Sequence, residues 1–372
     1  VGKFLPEITS RGDGSPASKL ILHAERASVK ESSQLGCGCS YARPLSLWTI
    51  MCYHHNMRCN NLPSQLSTFI GREREVATAT RLLHNTRLLT LTGAGGSGKT
   101  RLALALAEPL VRRYADGVWF VDLAEIEDPE LAPQAVADTL NLRGAPGRSL
   151  RDALIAYLRA KHVLLILDNC ERMVGACAEL AFALLTAAPR LRIVVTSREP
   201  LRVAGETVWT VPPLALPELA KHARIEELAR VEAVRLFVER ANRVMPGFAL
   251  DEENALPVSQ ICHWLGGSPL AIELAAARIR VLSPAQITVR LSDALGILVT
   301  GDRTAPPRQR SLQAALDWSY DLLSGDAQIL FQRLCRVITG VVLNHRVFAG
   351  IFCLNYFDAQ RFELSARSII TF

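Results

Sequence analysis

The chain has 372 residues, 49% of them hydrophobic and 21% charged, with 42 basic against 36 acidic side chains for a net charge of +6. That length suggests roughly two to three domains, and the apolar content excludes a wholly disordered chain, a collagen-like repeat and a small disulfide scaffold. With no run of about 18 apolar residues, no basic-then-apolar leader and an odd set of nine cysteines, the expectation is a cytoplasmic chain with reduced thiols and no membrane contact.

Residues 1–62 are turn-rich and carry four cysteines, Cys37, Cys39, Cys52 and Cys59. With His54 and His55 these do not match a paired C-x-x-C framework, so loose sequence is expected there and not a metal site. Residues 63–215 alternate short β-branched runs with helical patterns. Strands are predicted at 87–92, 118–122, 163–168 and 191–197, with a weaker one at 207–211. Helices are predicted at 99–113, 133–140, 150–160 and 175–187. The runs 88–91 and 163–167 do not alternate with polar residues, as in strands buried on both faces. The fold class is therefore α/β, a parallel sheet with helices on both faces.

Residues 216–300 read as an all-α unit. The stretch 226–243 predicts one amphipathic helix, with Glu226–Arg230 and Glu239–Arg243 at i,i+4 spacing. Gly266-Gly267-Ser268-Pro269 is a loop leading into a helix, with Ser268 at the N-cap and Pro269 at the first helical position. Leu270, Ala271, Leu274, Ala275 and Ile279 give that helix an apolar face. Residues 301–340 form a further partial unit and 341–372 an atypical tail. Five of the twelve phenylalanines fall in 348–372. The loss of pattern after Leu334 reads as the end of a fragment or a shifted reading frame.

Chemistry concentrates at the carboxyl ends of the predicted strands, where open α/β sheets bind ligands. Directly after the first strand comes Gly93-Ala94-Gly95-Gly96-Ser97-Gly98-Lys99-Thr100, the G-x-x-x-x-G-K-T pattern of a P-loop. Its glycines let backbone N–H groups converge on one anion. The following helix adds its positive end. Lys99 can reach the β- and γ-phosphates, and Thr100 can offer its hydroxyl to Mg²⁺.

The strand at 163–167 ends in Asp168-Asn169-Cys170-Glu171. Paired with a P-loop upstream, Asp168 is read as the Mg²⁺ carboxylate opposite Thr100. Many P-loop hydrolases place a glutamate at the next position to polarise water. Here Asn169 stands there and cannot take a proton. Glu171 is the substitute base or an ordinary surface acid. Slow hydrolysis, or binding with negligible turnover, is expected. The next strand ends in Thr196-Ser197-Arg198-Glu199, where Arg198 either senses the terminal phosphate or pairs at the surface with Glu199.

In order along the chain stand Phe69-Ile70-Gly71-Arg72-Glu73-Arg74-Glu75, the P-loop, Leu-Leu-Ile-Leu-Asp-Asn-Cys-Glu at 164–171, Thr-Ser-Arg-Glu-Pro-Leu at 196–201 and Gly-Gly-Ser-Pro-Leu-Ala at 266–271. This series resembles the STAND class of signalling ATPases. Within it the likeness is to bacterial NB-ARC-like ATPases of LuxR-type and AfsR-type transcriptional regulators, over about 63–335. The resemblance implies that Ile70, Gly71 and Arg72 lie over adenine and ribose, and that Gly93 to Thr100, with Arg101 beside them, bind ATP or ADP. It further implies that Asp168 serves Mg²⁺, that Arg198 senses the γ-phosphate and that Pro269 packs on the base. It identifies 311–335 as the opening of a winged helix. The family's later histidine has no match, since His345 lies in a divergent stretch. Family members self-associate in the ATP state and reach DNA through flanking modules, none of which is evident here.

The leading reading is a nucleotide-dependent switch controlling transcription. The alternative is a P-loop ATPase that turns over ATP for mechanical or DNA-associated work, which would want a glutamate at 169 and a strongly basic face. A small-molecule kinase is a third reading, for which 220–335 shows no acceptor pocket.

Overall fold

The computed structural model describes residues 59–143, 149–218 and 224–293. The chain enters along one sheet edge. Asn60 bridges Val118 in parallel, and the Asn61 side chain both accepts from the Phe120 N–H and donates to its carbonyl. The irregular reading of 1–62 therefore misses its last residues, which cover an edge that would otherwise expose unpaired backbone.

Helix α1 (Glu73–Asn85) leads into β1 (Leu88–Thr92), α2 (Lys99–Ala107), β2 (Val118–Asp122), α3 (Ala132–Thr139), α4 (Leu150–Leu158), β3 (Leu164–Asp168), α5 (Val174–Ala187), β4 (Arg192–Thr196) and β5 (Glu206–Thr210). The five strands pair in parallel in the order β2-β3-β4-β1-β5. Successive residues of β3 face opposite cores. Leu165 and Leu167 pack with α3, α4 and α5, whereas Leu164 and Ile166 pack with α1 and α2. Both faces are dry, which is why the run carries no polar alternation. The sheet with helices on both faces is as the sequence reads.

The helix expected over 99–113 changes character at its middle. α2 stops at Ala107 and a 3₁₀ turn continues over Glu108–Arg112. Pro109 has no N–H to give, and its ring collides with the carbonyl four residues back.

The second layer of helices follows, with α6 (Ile225–Leu228), α7 (Glu232–Val244), α8 (Ala255–Trp264), α9 (Pro269–Ala276) and α10 (Pro284–Asp293). They share a third core around Phe237, Ile261, Ile272 and Ile287, all fully buried. The single helix expected over 226–243 is two. Val231 is extended (φ −71°, ψ 131°) and α7 starts at Glu232. The cause is tertiary: the Glu232 carboxylate accepts from the Arg72 N–H (2.9 Å) and the Ala215 N–H (3.0 Å), which fixes it at the helix start. Glu226 and Arg230 fall on opposite sides of the break, while Glu239 and Arg243 pair at 2.7 Å. The winged-helix stretch 311–335, the tail 341–372 and His345 lie outside the described residues, as do Cys37, Cys39, Cys52, His54 and His55.

The link from sheet to helices is pinned at Gly267, which sits at φ +69° and accepts from the Leu214 N–H at 3.0 Å. A Cβ there would stand 2.4 Å from the Leu214 carbonyl oxygen. Gly267→Ala combines a left-handed backbone with a collision against main chain. It is expected to destabilise the fold by about 2 kcal/mol, seen as a lowered denaturation midpoint, and an unchanged midpoint would contradict this packing.

Candidate nucleotide site

The loop 93–98 joins the buried strand β1 to α2. Its turn is tight because Gly96 (φ +78°) and Gly98 (φ +87°) occupy left-handed backbone. Gly98 is the N-cap of α2 and offers no side-chain cap, so the first amides of the helix face the loop's concavity, where an anion satisfies them. Lys99 is buried, and its Nζ donates to the carbonyls of Gly93 (2.7 Å) and Ala94 (3.0 Å). Ser97 Oγ is buried with no hydrogen-bond partner. A cradle with a buried ammonium, an uncapped helix start and an orphaned hydroxyl fits a polyphosphate.

Asp168 ends β3 at the level of Thr100. The Thr100 hydroxyl donates to both Asp168 carboxylate oxygens, at 2.9 and 3.0 Å. Thr196, at the end of neighbouring β4, donates its hydroxyl to Oδ1 of Asp168 and accepts from the Asn169 N–H at 3.0 Å. Asn169 Nδ2 donates to Asp168 Oδ2 (2.7 Å) and Asp122 Oδ1 (3.0 Å). Burial pushes the Asp168 carboxyl up to about 6. The Thr196 and Thr100 hydroxyls pull it down, and Asp122 and Glu171 push it up. A buried carboxylate and a hydroxyl are hard oxygen donors, so Thr100 and Asp168 fit a hydrated Mg²⁺, which would relieve the cost of the carboxylate's charge.

Asn169 turns left-handed (φ +63°) and a 3₁₀ turn over Cys170–Arg172 follows. That turn folds Glu171 inward. Its side chain is only 6% exposed, and Oε1 lies 3.6 Å from Nε of Arg198. Glu171 is therefore not a surface acid. Glu199 makes its ion contact with Arg202, at 4.0 Å.

The segment 70–72 bridges sheet and helices. Ile70 packs on the helical core, and Gly71 lies against the Glu232 side chain. Arg72 is 2% exposed, with Nη2 donating to the carbonyls of Ser97 (2.8 Å) and Pro212 (2.9 Å). Burial lowers its pKa, against the opposing pull of Glu75 and Glu232.

Pro269 and Leu270, at the start of α9, sit on the phosphate loop. The Leu270 N–H donates to the Gly96 carbonyl at 3.3 Å. A Cβ on Gly96 would stand 2.8 Å from the Leu270 side chain, and one on Gly98 would stand 3.7 Å from Pro269. Ser268 is the N-cap of α9, without a side-chain cap bond. Arg101 points along the seam: it pairs with Glu273 at 3.2 Å and donates to the carbonyls of Ser67 and Thr68. Glu273 also accepts from Arg240 at 2.9 Å.

Sequence reasoning passed over Glu232, Arg240 and Glu273, because nothing in a one-dimensional pattern tells a seam carboxylate from a solvated one. Thr196 carried a signal, being the polar residue that closes a buried strand next to the Asp168 strand. Among the described residues no cluster of His, Cys, Asp and Glu forms a further metal site.

A parallel sheet with a P-loop after β1, and an aspartate and an arginine at the ends of two further strands, defines a P-loop nucleotide-binding module. A family profile described as "AAA domain" matches residues 81–202. The chain is 37% identical over 331 residues to "Uncharacterized protein Rv0894" of Mycobacterium tuberculosis, covering 89% of this chain and 77% of that one. It is 44% identical over 259 residues to "Putative HTH-type transcriptional regulator Rv0890c" of the same organism, covering 70% of this chain and 28% of the relative. It is 28% identical over 270 residues to "Regulatory protein AfsR" of Streptomyces griseus, covering 65% of this chain and 24% of that protein. The chain belongs to the same family as Rv0894, with an AAA domain over residues 81–202, and it spans 28% of the length of the HTH-type regulator that it matches. No helix among the described residues is long and apolar enough to cross a membrane.

Proposed function

We propose that the chain is the ATP- and ADP-binding switch module of a regulatory protein that controls transcription, a slow ATPase at most. The observation that carries this is the seating of α9 on the phosphate loop, through the Leu270 N–H on the Gly96 carbonyl and Pro269 beside Gly98. A change in the phosphates held by that loop is felt directly by the helical layer. The differential contact needed to shift two states comes from the γ-phosphate, through Lys99, Arg198 and Mg²⁺ on Thr100 and Asp168. Gly93, Ala94, Gly95, Gly96, Ser97 and Gly98 cradle the phosphates. Ile70, Gly71, Arg72 and Pro269 enclose the base and sugar, and Arg101 ties the loop's helix to the seam. Self-association belongs to the ATP state, and contact with DNA to a flanking module.

Asn169 supports slow turnover. Its amide is spent on Asp122 and Asp168 and has no basicity to activate water. Two measurements test the reading. Calorimetry with Mg²⁺ should detect uptake of both ADP and a non-hydrolysable ATP analogue, with a larger hydrodynamic size in the analogue. Steady-state hydrolysis should stay below about 1 s⁻¹, a low value for enzymes. Binding of neither nucleotide would overturn the proposal, and fast turnover would move the chain to the ATP-driven machines.

A further inference from the structure

We infer that Glu171 is a positioning residue for Arg198, holding its guanidinium toward the terminal phosphate, and not the proton acceptor for water. This rests on the nucleotide reading above and deepens it.

The turn after β3 and the end of β4 meet in two carboxylate contacts. Asp168 takes the hydroxyl of Thr196, and three residues on Glu171 takes the guanidinium of Arg198. The left-handed Asn169 and the short 3₁₀ turn bring both carboxylates to the same side. β3 and β4 are paired neighbours, with Leu167 opposite Val195, so both contacts lie at the carboxyl ends of adjacent strands.

Three features separate holding from proton transfer. The Glu171 side chain is 6% exposed, so bulk water does not reach it. Its near oxygen faces an arginine, which occupies it. The contact is with Nε, the inner edge of the guanidinium; a carboxylate behind Nε sets the direction of the fork without standing between its Nη tips and an incoming oxyanion. A mostly buried arginine, its side chain 15% exposed, also needs a counter-charge whenever the γ-phosphate is gone. Glu171 provides it as an ion contact, and its other oxygen is buried without a hydrogen-bond partner among the described residues.

The test is a comparison of ATP-analogue and ADP affinities, using fluorescent derivatives of each on the full chain with saturating Mg²⁺. Glu171→Ala is expected to weaken the analogue about tenfold and ADP less than about twofold, because only the former reaches Arg198. Glu171→Gln keeps an acceptor oxygen and loses the charge, so it should fall between; it carries the test if the alanine variant folds poorly. In an Arg198→Ala background, Glu171→Ala should change the analogue-to-ADP ratio less than about twofold. Equal weakening of both nucleotides would mark Glu171 as merely structural. An unchanged ratio with hydrolysis abolished would mark it as the base. Additive effects in the double variant would deny that it acts through Arg198. Each of these overturns the inference while the wild-type chain still binds both nucleotides. A wild-type chain that binds neither overturns the switch reading itself.

Discussion

Replacing Lys99 with alanine is expected to weaken ADP and ATP binding by more than about 100-fold, roughly 2.7 kcal/mol, while leaving the chain folded. The ammonium is buried at the base of the loop and donates to the Gly93 and Ala94 carbonyls. Carbonyl oxygens carry partial charge only. A phosphate arriving in the cradle offers full charge to the same donors, and a charge-assisted hydrogen bond is about twice as strong as one to a neutral carbonyl. Both nucleotides carry the β-phosphate, so both lose this term. The fold loses little, since the loop is partly exposed and water can take up the two carbonyls. Alanine is also an excellent residue for the first turn of α2. Calorimetry beside a thermal melt checks both halves. Undiminished uptake of the two nucleotides by a folded Lys99→Ala chain would remove the loop from the site.

The parts of this molecule that were legible in its sequence are those where one local pattern suffices. A strand buried on both faces announces itself by unbroken apolar runs, and the phosphate loop by its G-x-x-x-x-G-K-T spacing, with Gly93 and Gly98 at the fixed positions. Asp168 and Arg198 were legible because a strand end has only one address in a parallel sheet. The illegible parts depend on contacts between distant segments. Glu232 looked like one more acid on a solvated helix face. In the fold it holds the amides of Arg72 and Ala215, and that demand breaks a helix which periodicity alone joined. The resemblance places Arg101, next to the P-loop threonine, among the nucleotide-binding residues, and nothing in the sequence pairs it with a distant acid. Helix geometry instead turns it one step round the cylinder, onto Glu273 of α9. Glu171 looked like a spare base because nothing in the sequence says that the turn after Asp168 closes over it.

Asp168→Asn is expected to stabilise the chain free of nucleotide and metal by about 2 kcal/mol at pH 7.5, and to weaken Mg²⁺-dependent ATP binding by about tenfold or more. The sign follows from the carboxyl's environment. Burial pushes it up to about 6, from an ordinary value of 3.8. Between those two pH values the folded chain holds a proton that the unfolded chain has released. Stability therefore falls as pH rises through this window, and above it the folded state bears the whole cost of the ionised group, roughly 3 kcal/mol. Asparagine carries no charge to desolvate and keeps one acceptor for the Thr196 and Thr100 hydroxyls; its amide nitrogen meets the Asn169 donor, which must turn away, so about two thirds of that cost disappears. At pH 5, midway through this window, wild type has recovered about half of that cost, roughly 1.4 kcal/mol, so the gap between the two chains should shrink to below about 1 kcal/mol. Adding Mg²⁺ and nucleotide reverses the order, because the cation binds the carboxylate and gains nothing from the amide. Melts at pH 5 and 7.5 in chelator, then with Mg²⁺ and an ATP analogue, read all three comparisons. A variant no more stable than wild type at pH 7.5 would mean that Asp168 is not an ionised group held at a cost, and would leave the cation no such cost to relieve.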